Sequence, residues 1–349
     1  GALKVGPRSA GGAPGPACYG AGNNEPTVTD ANVVLGYVNP RSLAGGTVRI
    51  QRDLAVAALR RSVVARLQGD ERDAAWAVYV VAAANMMRAV KAVSTYRGRD
   101  PRDCVLMAFG GNGGVVAVEL ARQLQMRRVL IPPAAGVFSA LGLSVAPIEF
   151  SQTKAFLKPL AEVQPDALMT ALHATAQQVG KVLGHSPERL RMRYAAAMRY
   201  IGQAFELPVP LPVGDFSREM LLGLTEAFEV EHEKTYGHRF AEGDGVEMVA
   251  LEVTGTYEGT ERRPERITLR PRPSDGAVEP RRTAYFGPER GAHEVDVLLR
   301  SALSATPRRG PFIVEEYDGT TVIPPDAAAH LDAAGNIVID IDPQPGAES

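Results

Sequence analysis

The sequence is poor in cysteine, in long apolar runs and in net charge. Its two cysteines, Cys18 and Cys104, are too few and too far apart for a disulfide framework or a CxxC metal or redox pair. No window reaches the roughly 18 consecutive apolar residues that a membrane helix needs. A net charge of -2 does not indicate binding to nucleic acid or to an acidic membrane. We therefore expect a cytoplasmic protein without a membrane span.

Several catalytic motifs are also absent. There is no GxSxG elbow for a serine hydrolase, and no Lys-Ser/Thr pair follows the main glycine cluster as in a Walker loop. His232 and His238 do not have the HExxH spacing, and on a helix they would lie about 120° apart. We interpret His232 as a packing residue. Arginine is dense between residues 262 and 309, but proline and acidic residues separate it, which favours solvated loops over a phosphate-binding face.

The composition is that of a globular protein with about two domains. Hydrophobic residues make up 45% and charged residues 22% of the 349 positions. The sequence character changes after Pro147, which predicts one domain over 1–148 and another over 149–349. Helices alternate with short strands in the first part, whereas the second has long helices and a strand-rich end. The predicted fold class is α/β, followed by an α+β domain with a β-rich end.

Hydrophobic periodicity locates the main elements. Apolar residues recur at three- and four-residue steps over 72–96, which predicts a mostly buried helix with a stripe through Trp76, Val80 and Met87. Further helices are predicted at 165–183 and 216–236, and strands at 190–209, 246–257 and in short stretches between 312 and 339. Gly335 and Asn336 between two of these short strands predict a hairpin turn.

A glycine turn between a strand and a helix is the main candidate site. Residues 103–109 predict a buried strand, 115–125 a helix and 128–131 a second strand, which together make a parallel β-α-β unit. The turn between them consists of Gly110, Gly111, Asn112, Gly113 and Gly114. Backbone N–H groups and the helix dipole at such a turn suit a nucleotide. A tight connection between closely packed elements is the alternative.

Two further candidates are Cys18 and Asp30. Cys18 lies in a loop rich in glycine and proline, where a lowered pKa would make it a nucleophile or a metal ligand. The alternative is a small buried core residue. Asp30 follows the same loop, where a carboxylate suits Mg²⁺ or a water molecule. Capping of the short helix that follows is an equally good explanation.

The sequence resembles the hydantoinase A/5-oxoprolinase family, whose relatives include large subunits of acetone and acetophenone carboxylases. Residues 5–20 and 26–32 resemble the family signature. Further matching blocks lie at 97–103, 108–111, 139–142, 199–203, 236–238 and 315–321. The resemblance implies that 1–148 is the C-terminal part of an actin-like ATPase domain, the second of two RNase H-like lobes that hold ATP. Residues 149–349 would be the family's C-terminal domain.

The resemblance also implies a function and a set of site residues. The glycine turn would be the adenosine-side turn for ATP with Mg²⁺ or another divalent metal. Asp30 would be a catalytic group that faces the cleft, and Cys18 a ligand or substrate contact. The implied activity is ATP-dependent hydrolysis of a cyclic amide, with the family's N-terminal lobe and a hydantoinase B-like subunit as partners in a hetero-oligomer.

Two alternatives to that activity stay open. One is an ATP-dependent ketone carboxylase subunit, and the other is a non-catalytic assembly subunit. The sequence departs from the family pattern at Ala13, where aspartate is usual, and at Arg99, where histidine is usual. It departs again after the double glycine, where Ala-Gly-Pro and a histidine two residues on are usual and this chain has Asn112 to Gly114 and Val116. These departures favour the alternatives.

Overall fold

The computed structural model describes residues 2–67, 69–212, 214, 216–238, 245–257 and 280–342. They form two compact units, one from the described residues within 1–95, 99–144 and 267–349 and the other from those within 96–98 and 145–266. The predicted boundary at residue 148 stays a prediction for the sequence domains. The structural units divide the chain differently near its end, because the described part of 267–349 packs with the first unit.

The described residues form seven α-helices and fifteen strands. The helices are α1 (Val28–Val34), α2 (Arg52–Ser62), α3 (Glu71–Val93), α4 (Gly113–Gln123), α5 (Phe138–Val145), α6 (Pro165–Leu183) and α7 (Arg218–Tyr236). The first eight strands are β1 (Ser42–Leu43), β2 (Val48–Arg49), β3 (Leu106–Met107), β4 (Arg128–Ile131), β5 (Ile148–Pro159), β6 (Arg191–Tyr200), β7 (Leu207–Leu211) and β8 (Val246–Tyr257). The remaining strands are β9 (Arg281–Tyr285), β10 (Ala292–Leu298), β11 (Arg308–Arg309), β12 (Phe312–Glu315), β13 (Thr320–Ile323), β14 (Ala327–Leu331) and β15 (Ile337–Ile341). No described helix is both long and apolar enough to cross a bilayer.

The first unit contains two main sheets with helices between and around them. The five-stranded sheet has the order β11-β14-β15-β4-β3, and the four-stranded sheet has the order β13-β12-β10-β9. Helix α4 packs against β13 and β4 and also against α3. The mixed sheets with packed helices confirm the predicted α/β class.

The predicted β-α-β unit is present. Strands β3 and β4 pair in parallel, with α4 between them in sequence. Strand β3 is much shorter than the predicted strand over 103–109, because Pro101–Asp103 forms a 3-10 turn and Gly110 takes a φ of 88°. The prediction that this strand is buried is wrong, since the side chains of Val105, Met107 and Phe109 are exposed. The predicted hairpin is also present, since β14 and β15 are antiparallel around Gly335 and Asn336.

Helix α3 matches the predicted helix but buries a different face. Asp70 caps its first turn by accepting from the backbone N–H groups of Arg72 and Asp73. The buried residues are Ala74, Ala75, Val78, Tyr79, Ala82 and Ala83. Trp76 and Val80, which we assigned to the buried stripe, are only half-buried at its border. Alanines line the buried face because neighbouring helices approach it closely. The hydrophobic pattern alone does not show which face of α3 is buried.

The second unit is an antiparallel sheet with two long helices. Its order is β5-β8-β6-β7, and α6 packs on β8 and β5 whereas α7 packs on β7. The bounds of α6 and β8 coincide with the predicted ranges 165–183 and 246–257. The helix and the sheet meet closely at Gly255, where an added Cβ would lie 2.7 Å from Cγ1 of Val179.

Arg300 connects three segments of the first unit from inside its core. The side chain is 6% exposed, and its Nε and Nη2 donate to both carboxylate oxygens of Glu316 at 2.8 and 2.7 Å. Its other N–H groups donate to the carbonyl oxygens of Ile131, Pro132 and Gly335 at 3.2, 3.0 and 2.9 Å. All five guanidinium donors are therefore used. They tie the end of β4 and the β14–β15 turn to the segment after β12.

We predict that Arg300→Met lowers the free energy of unfolding of the first unit by about 3–5 kcal/mol, because Glu316 loses the partner of its buried charge. Urea unfolding followed by the fluorescence of Trp76, the single tryptophan, measures the change. Arg128→Met is the matched control, since its ion pair with Asp340 is exposed and contributes about 0–1 kcal/mol. Equal losses in the two variants would contradict the assignment.

Candidate functional site

The glycine turn has a fixed shape. Gly110 donates from its N–H to the carbonyl of Ala135 at 2.7 Å, and Gly113 donates to Gly110 at 3.0 Å as α4 begins. A Cβ on Gly114 would lie 2.5 Å from Oγ1 of Thr321, so only glycine allows β13 to approach this closely. The tight-connection explanation thus accounts for Gly114. It does not account for Gly111 and Asn112, which line a pocket.

Gly111 and Asn112 of the turn line a pocket of about 380 Å³ in the first unit. The other walls come from the loop before α1, from the segment that contains β1, and from the segment between β12 and β13. The lining residues are Tyr19, Thr29, Val38, Asn39, Ser42, Leu43, Ala44, Gly45, Gly46, Gly111, Asn112, Glu315, Glu316, Tyr317, Asp318, Gly319 and Thr320. The structure therefore brings the predicted turn to the edge of a ligand-sized cavity.

Two carboxylates in the pocket wall are neutralised by arginine side chains that are buried beneath the wall. Glu315 accepts from Nη1 of Arg282 at 2.8 Å and from Nδ2 of Asn39 at 2.9 Å. Glu316 is held by both ends of the Arg300 guanidinium. Both arginine side chains are 6% exposed, so these ion pairs lie beneath the pocket wall. They hold the segment after β12 in place and leave little of the charge of Glu315 and Glu316 for a ligand.

Asp318 joins this segment to the two other loops at the pocket edge. Its Oδ2 accepts from the backbone N–H of Gly136 at 2.9 Å. A Cβ on Gly136 would lie 2.0 Å from the carbonyl oxygen of Asp318, so this contact also requires glycine. The N–H of Thr320 points to the carbonyl of Gly111 at 3.4 Å. In the part of the chain that the structure describes, no cation pairs with Asp318.

Asn32 connects helix α1 to the glycine turn. Its Nδ2 donates to Oδ1 of Asn112 at 3.0 Å, across 80 residues of sequence. Asn32 is 1% exposed, whereas Asn112 is exposed in the pocket wall. The Oδ1 of Asn32 is buried without a hydrogen-bond partner among the described residues. The buried amide therefore fixes the orientation of the exposed one.

A second, larger cavity of about 770 Å³ lies along the N-terminal loop. It is lined by Leu3, Lys4, Val5, Gly6, Arg8, Ser9, Ala10, Gly11, Ala13, Pro14, Pro16, Asn23, Glu25, Pro26, Thr27, Val28, Thr29, Val63 and Val78. Thr29 lines both cavities, so the two adjoin at the start of α1. Most of residues 5–20, which resemble the family signature, thus line one of the two cavities.

Asp30 is buried beneath the loop and does not line either cavity. Its carboxylate accepts from the backbone N–H groups of Ala17, Cys18 and Thr27 at 3.1, 2.7 and 2.8 Å, and from Oγ1 of Thr27 at 2.8 Å. The cap of α1 is Thr27, and Asp30 completes a capping box as the third helical residue. The capping alternative is therefore supported, although Thr27 and not Asp30 occupies the cap position. These contacts favour a positioning role over the predicted catalytic one.

Cys18 is also buried and lies against Asp30. Burial, and secondarily the Asp30 carboxylate, raise the pKa of the Cys18 thiol far above its ordinary value. A nucleophilic thiolate needs the opposite shift. The geometry thus favours the core-residue explanation over the predicted ligand or substrate contact. Cys104 is exposed and distant in sequence.

His232 packs inside the second unit, as predicted. It is 1% exposed and packs against the rings of Tyr200 and Phe228. Its Nδ1 is 3.0 Å from the carbonyl oxygen of His238, and its Nε2 is 3.0 Å from Gln203. Among the described residues, no group of three or more His, Cys, Asp or Glu side chains is arranged to hold a metal ion.

Sequence reasoning missed the residues that support the pocket from behind. Arg282 was assigned to solvated loops, which is wrong: it lies in β9 and is buried against Glu315. The arginines of the same run between residues 262 and 272 lie outside the described residues. The sequence offered one indication, the polar run at 315–321. This run matches the family pattern, but the resemblance does not assign a function to it. The partners Arg282 and Arg300 are separate from that run in sequence, so no local pattern identifies them.

We predict that Asp30→Ala lowers the free energy of unfolding by about 3 kcal/mol or more, because three backbone N–H groups lose a charged acceptor. Urea unfolding with Trp76 fluorescence measures the loss. Asp103→Ala, at an exposed carboxylate, is the control and should change stability by less than about 0.5 kcal/mol. An Asp30→Ala protein that is as stable as the parent would contradict the positioning role.

We predict that iodoacetamide modifies Cys104 and spares Cys18 in the native protein, because Cys18 is buried and its thiol pKa is raised. Mass spectrometry should find a single adduct per chain without denaturant and both cysteines modified in urea. Cys104→Ser is the control, with no adduct in the native state. Rapid native labelling of Cys18 would show that its thiol is accessible and reactive.

Two protein-family models match the chain. The hydantoinase/oxoprolinase model matches residues 1–152, and the hydantoinase/oxoprolinase C-terminal domain model matches residues 161–337. Together the two matches cover most of the chain.

Curated proteins match nearly the full length of the chain. An uncharacterized protein of Methanocaldococcus jannaschii is 35% identical over 97% of this chain and 48% of its own length. Caprolactamase subunit alpha of Pseudomonas jessenii is 30% identical over 95% of this chain and 49% of its own length. The acetophenone carboxylase gamma subunit of Aromatoleum aromaticum is 30% identical, with 98% and 48% covered. The chain thus spans about half the length of these relatives.

A solved structure gives the same result for the fold. The crystal structure of ATP-dependent caprolactamase from Pseudomonas jessenii matches with a TM-score of 0.77 and 29% sequence identity. The match covers 97% of this chain and 50% of that one. With the family models, the sequence relatives and the fold in agreement, the chain belongs to the hydantoinase/oxoprolinase family.

Proposed function

We propose that this chain provides one wall of an ATP site in an enzyme that activates a carbonyl group, with a cyclic amide as the substrate class. The observation that carries the proposal is the glycine turn, which presents Gly111 and Asn112 to the 380 Å³ pocket at the start of the 11-residue helix α4. A ligand there would meet the turn that follows the carboxyl end of β3, and the carboxyl ends of the strands are where open α/β sheets bind ligands.

The residues present fit a nucleotide. In the described part of the chain, the N–H groups of Gly111 and Asn112 have no hydrogen-bond acceptor, and the Asn112 side chain does not cap α4. These donors are therefore available to a ligand. The glycines at 114 and 136 keep the neighbouring backbone segments close enough to form the pocket walls.

The chain's own contribution would be binding and orientation. ATP, when bound, would supply the phosphoryl group that makes a carbonyl carbon susceptible to attack. The turn and the segment 315–320 would hold the nucleotide, because buried side chains hold each of them in place: Asn32 holds the turn, and Arg282 and Arg300 hold the segment. Magnesium stays a prediction, since the described residues do not assign its ligands.

We propose that the working enzyme is a hetero-oligomer. The chain spans about half the length of the three curated relatives described above, and two of them, the caprolactamase and acetophenone carboxylase proteins, are named as subunits. The partners would be a segment equivalent to the family's N-terminal lobe and a hydantoinase B-like subunit. The first would supply the second wall of the ATP site, and the second would supply contacts to the activated substrate.

A ketone carboxylase is the second candidate. Its support is that the acetophenone carboxylase gamma subunit is as similar to this chain as caprolactamase subunit alpha, at 30% identity each. Dependence of ATP hydrolysis on bicarbonate separates the two. A caprolactam-stimulated hydrolysis without bicarbonate supports the hydrolase, and an acetophenone-stimulated hydrolysis that requires bicarbonate supports the carboxylase.

We predict that Mg²⁺–ATP binds to this chain mixed with the N-terminal half of the caprolactamase alpha subunit, and that Gly111→Val weakens binding at least about tenfold. The valine side chain would fill the pocket edge, where an added Cβ already lies 3.4 Å from the carbonyl oxygen of Asp318. Isothermal titration calorimetry measures both affinities. Gly142→Val in α5 is the control, because an added Cβ there meets no atom within 4 Å.

Two results would count against the proposal. If the two proteins associate but the mixture binds no nucleotide, the ATP site is absent and an assembly subunit is the better explanation. If Gly111→Val and Gly142→Val bind nucleotide as tightly as the parent, the nucleotide binds elsewhere.

A further inference from the structure

The pocket wall has one carboxylate whose charge is not neutralised within the described residues. Glu315 and Glu316 are paired with buried arginines, whereas Asp318 accepts a single N–H bond, from Gly136 to Oδ2. Its Oδ1 has no protein donor in the described segments. Asp318 is half-buried, and the bond to Gly136 fixes the orientation of its carboxylate. The free oxygen is therefore an acceptor held ready for a ligand N–H or O–H.

Asn112 supplies a donor in the same wall. Its Oδ1 is already occupied by Nδ2 of Asn32, so its own amide N–H groups are left for the pocket. Asn112 is exposed, and its orientation is set by a side chain that is itself buried. Asn32 lies in α1, whose first turn is fixed by the capping box of Thr27 and Asp30.

The geometry points to Asn112 and Asp318 as a donor–acceptor pair that binds the uncharged nucleoside end of the ligand, with Asn32 as the residue that positions Asn112. This inference rests on the proposed ATP site and assigns its specificity. A phosphate close to Asp318 would meet a like charge, which is unfavourable in a partly buried site. The ligand group must donate to Asp318 and accept from Asn112. Ribose hydroxyls and the edge of a purine base both meet that requirement.

Competing ligands separate these possibilities. The mixture of this chain with the N-terminal half of the caprolactamase alpha subunit is titrated with Mg²⁺–ATP, 2′-deoxyATP, ITP and tripolyphosphate. We expect Asp318→Asn to weaken ATP binding about tenfold and Asn112→Ala to weaken it about fivefold, since each loses one hydrogen bond and the first is charged. Tripolyphosphate affinity should be unchanged in Asn112→Ala and equal or higher in Asp318→Asn.

The nucleotide analogues identify the donor. If Asp318 accepts from the ribose 2′-hydroxyl, 2′-deoxyATP binds equally to the parent and to Asp318→Asn. If it accepts from the amino group of the base, ITP binds equally to the parent and to Asp318→Asn. Both results support the inference. Equal weakening of ATP and tripolyphosphate by Asp318→Asn would overturn it, because the carboxylate would then act on the phosphate end or on the fold.

A double-mutant cycle tests the role of Asn32. If Asn32 acts through Asn112, Asn32→Ala weakens ATP binding about as much as Asn112→Ala, and the double variant loses no more than either. Additive losses would mean that Asn32 does not position Asn112. Asn24→Ala and Asp103→Asn, both exposed and outside the pocket, are the matched controls and should bind like the parent. Loss of binding in the parent itself would remove the proposed function, whereas unchanged binding in all pocket variants would remove only this inference.

Discussion

A permanent positive charge inside the first unit organises the elements around the pocket. Arg300 cannot lose its proton at physiological pH, so each of its N–H groups must find an acceptor when the chain folds. It finds them on β4, on the turn before β15 and on Glu316, and it uses all five. None of these segments can shift without leaving a buried donor unpaired. The segment after β12 is therefore as rigid as the sheet.

The segments that carry the family resemblance support one another in the fold. The loop before α1 is held by the Asp30 carboxylate, and α1 in turn holds the glycine turn through Asn32. The turn contacts the segment 315–320 through Gly111. Residues far apart in sequence thus form one continuous wall. Several of the recognisable positions serve this mutual support, and a smaller set faces the cavity.

Local patterns predicted the elements well and their partners poorly. The periodicity that predicts α6 and the alternation that predicts β8 depend on neighbours in sequence, and both elements match the prediction. The glycine turn was likewise visible as a break between strand and helix. The buried ion pairs, the contact between Asn32 and Asn112, and the face that α3 buries depend on segments that meet only in three dimensions. Asp30 shows the same limit, since a capping position and a catalytic carboxylate look alike in sequence.

Strand β15, near the end of the chain, completes a sheet of the first unit, and this constrains how the protein folds during synthesis. Strand β4 pairs with β15, and Arg128 meets Asp340 across 212 residues. At a synthesis rate of about 5–20 residues per second, the ribosome needs roughly 10–40 s to deliver the second strand after the first. During that interval the apolar residues of β4 lack their final neighbour and the sheet is unfinished. In the second unit the most distant pairing, between β5 and β8, spans a shorter stretch of chain and is complete before β15 is made. Translation therefore delivers all strands of the second unit before it delivers the last strand of the first.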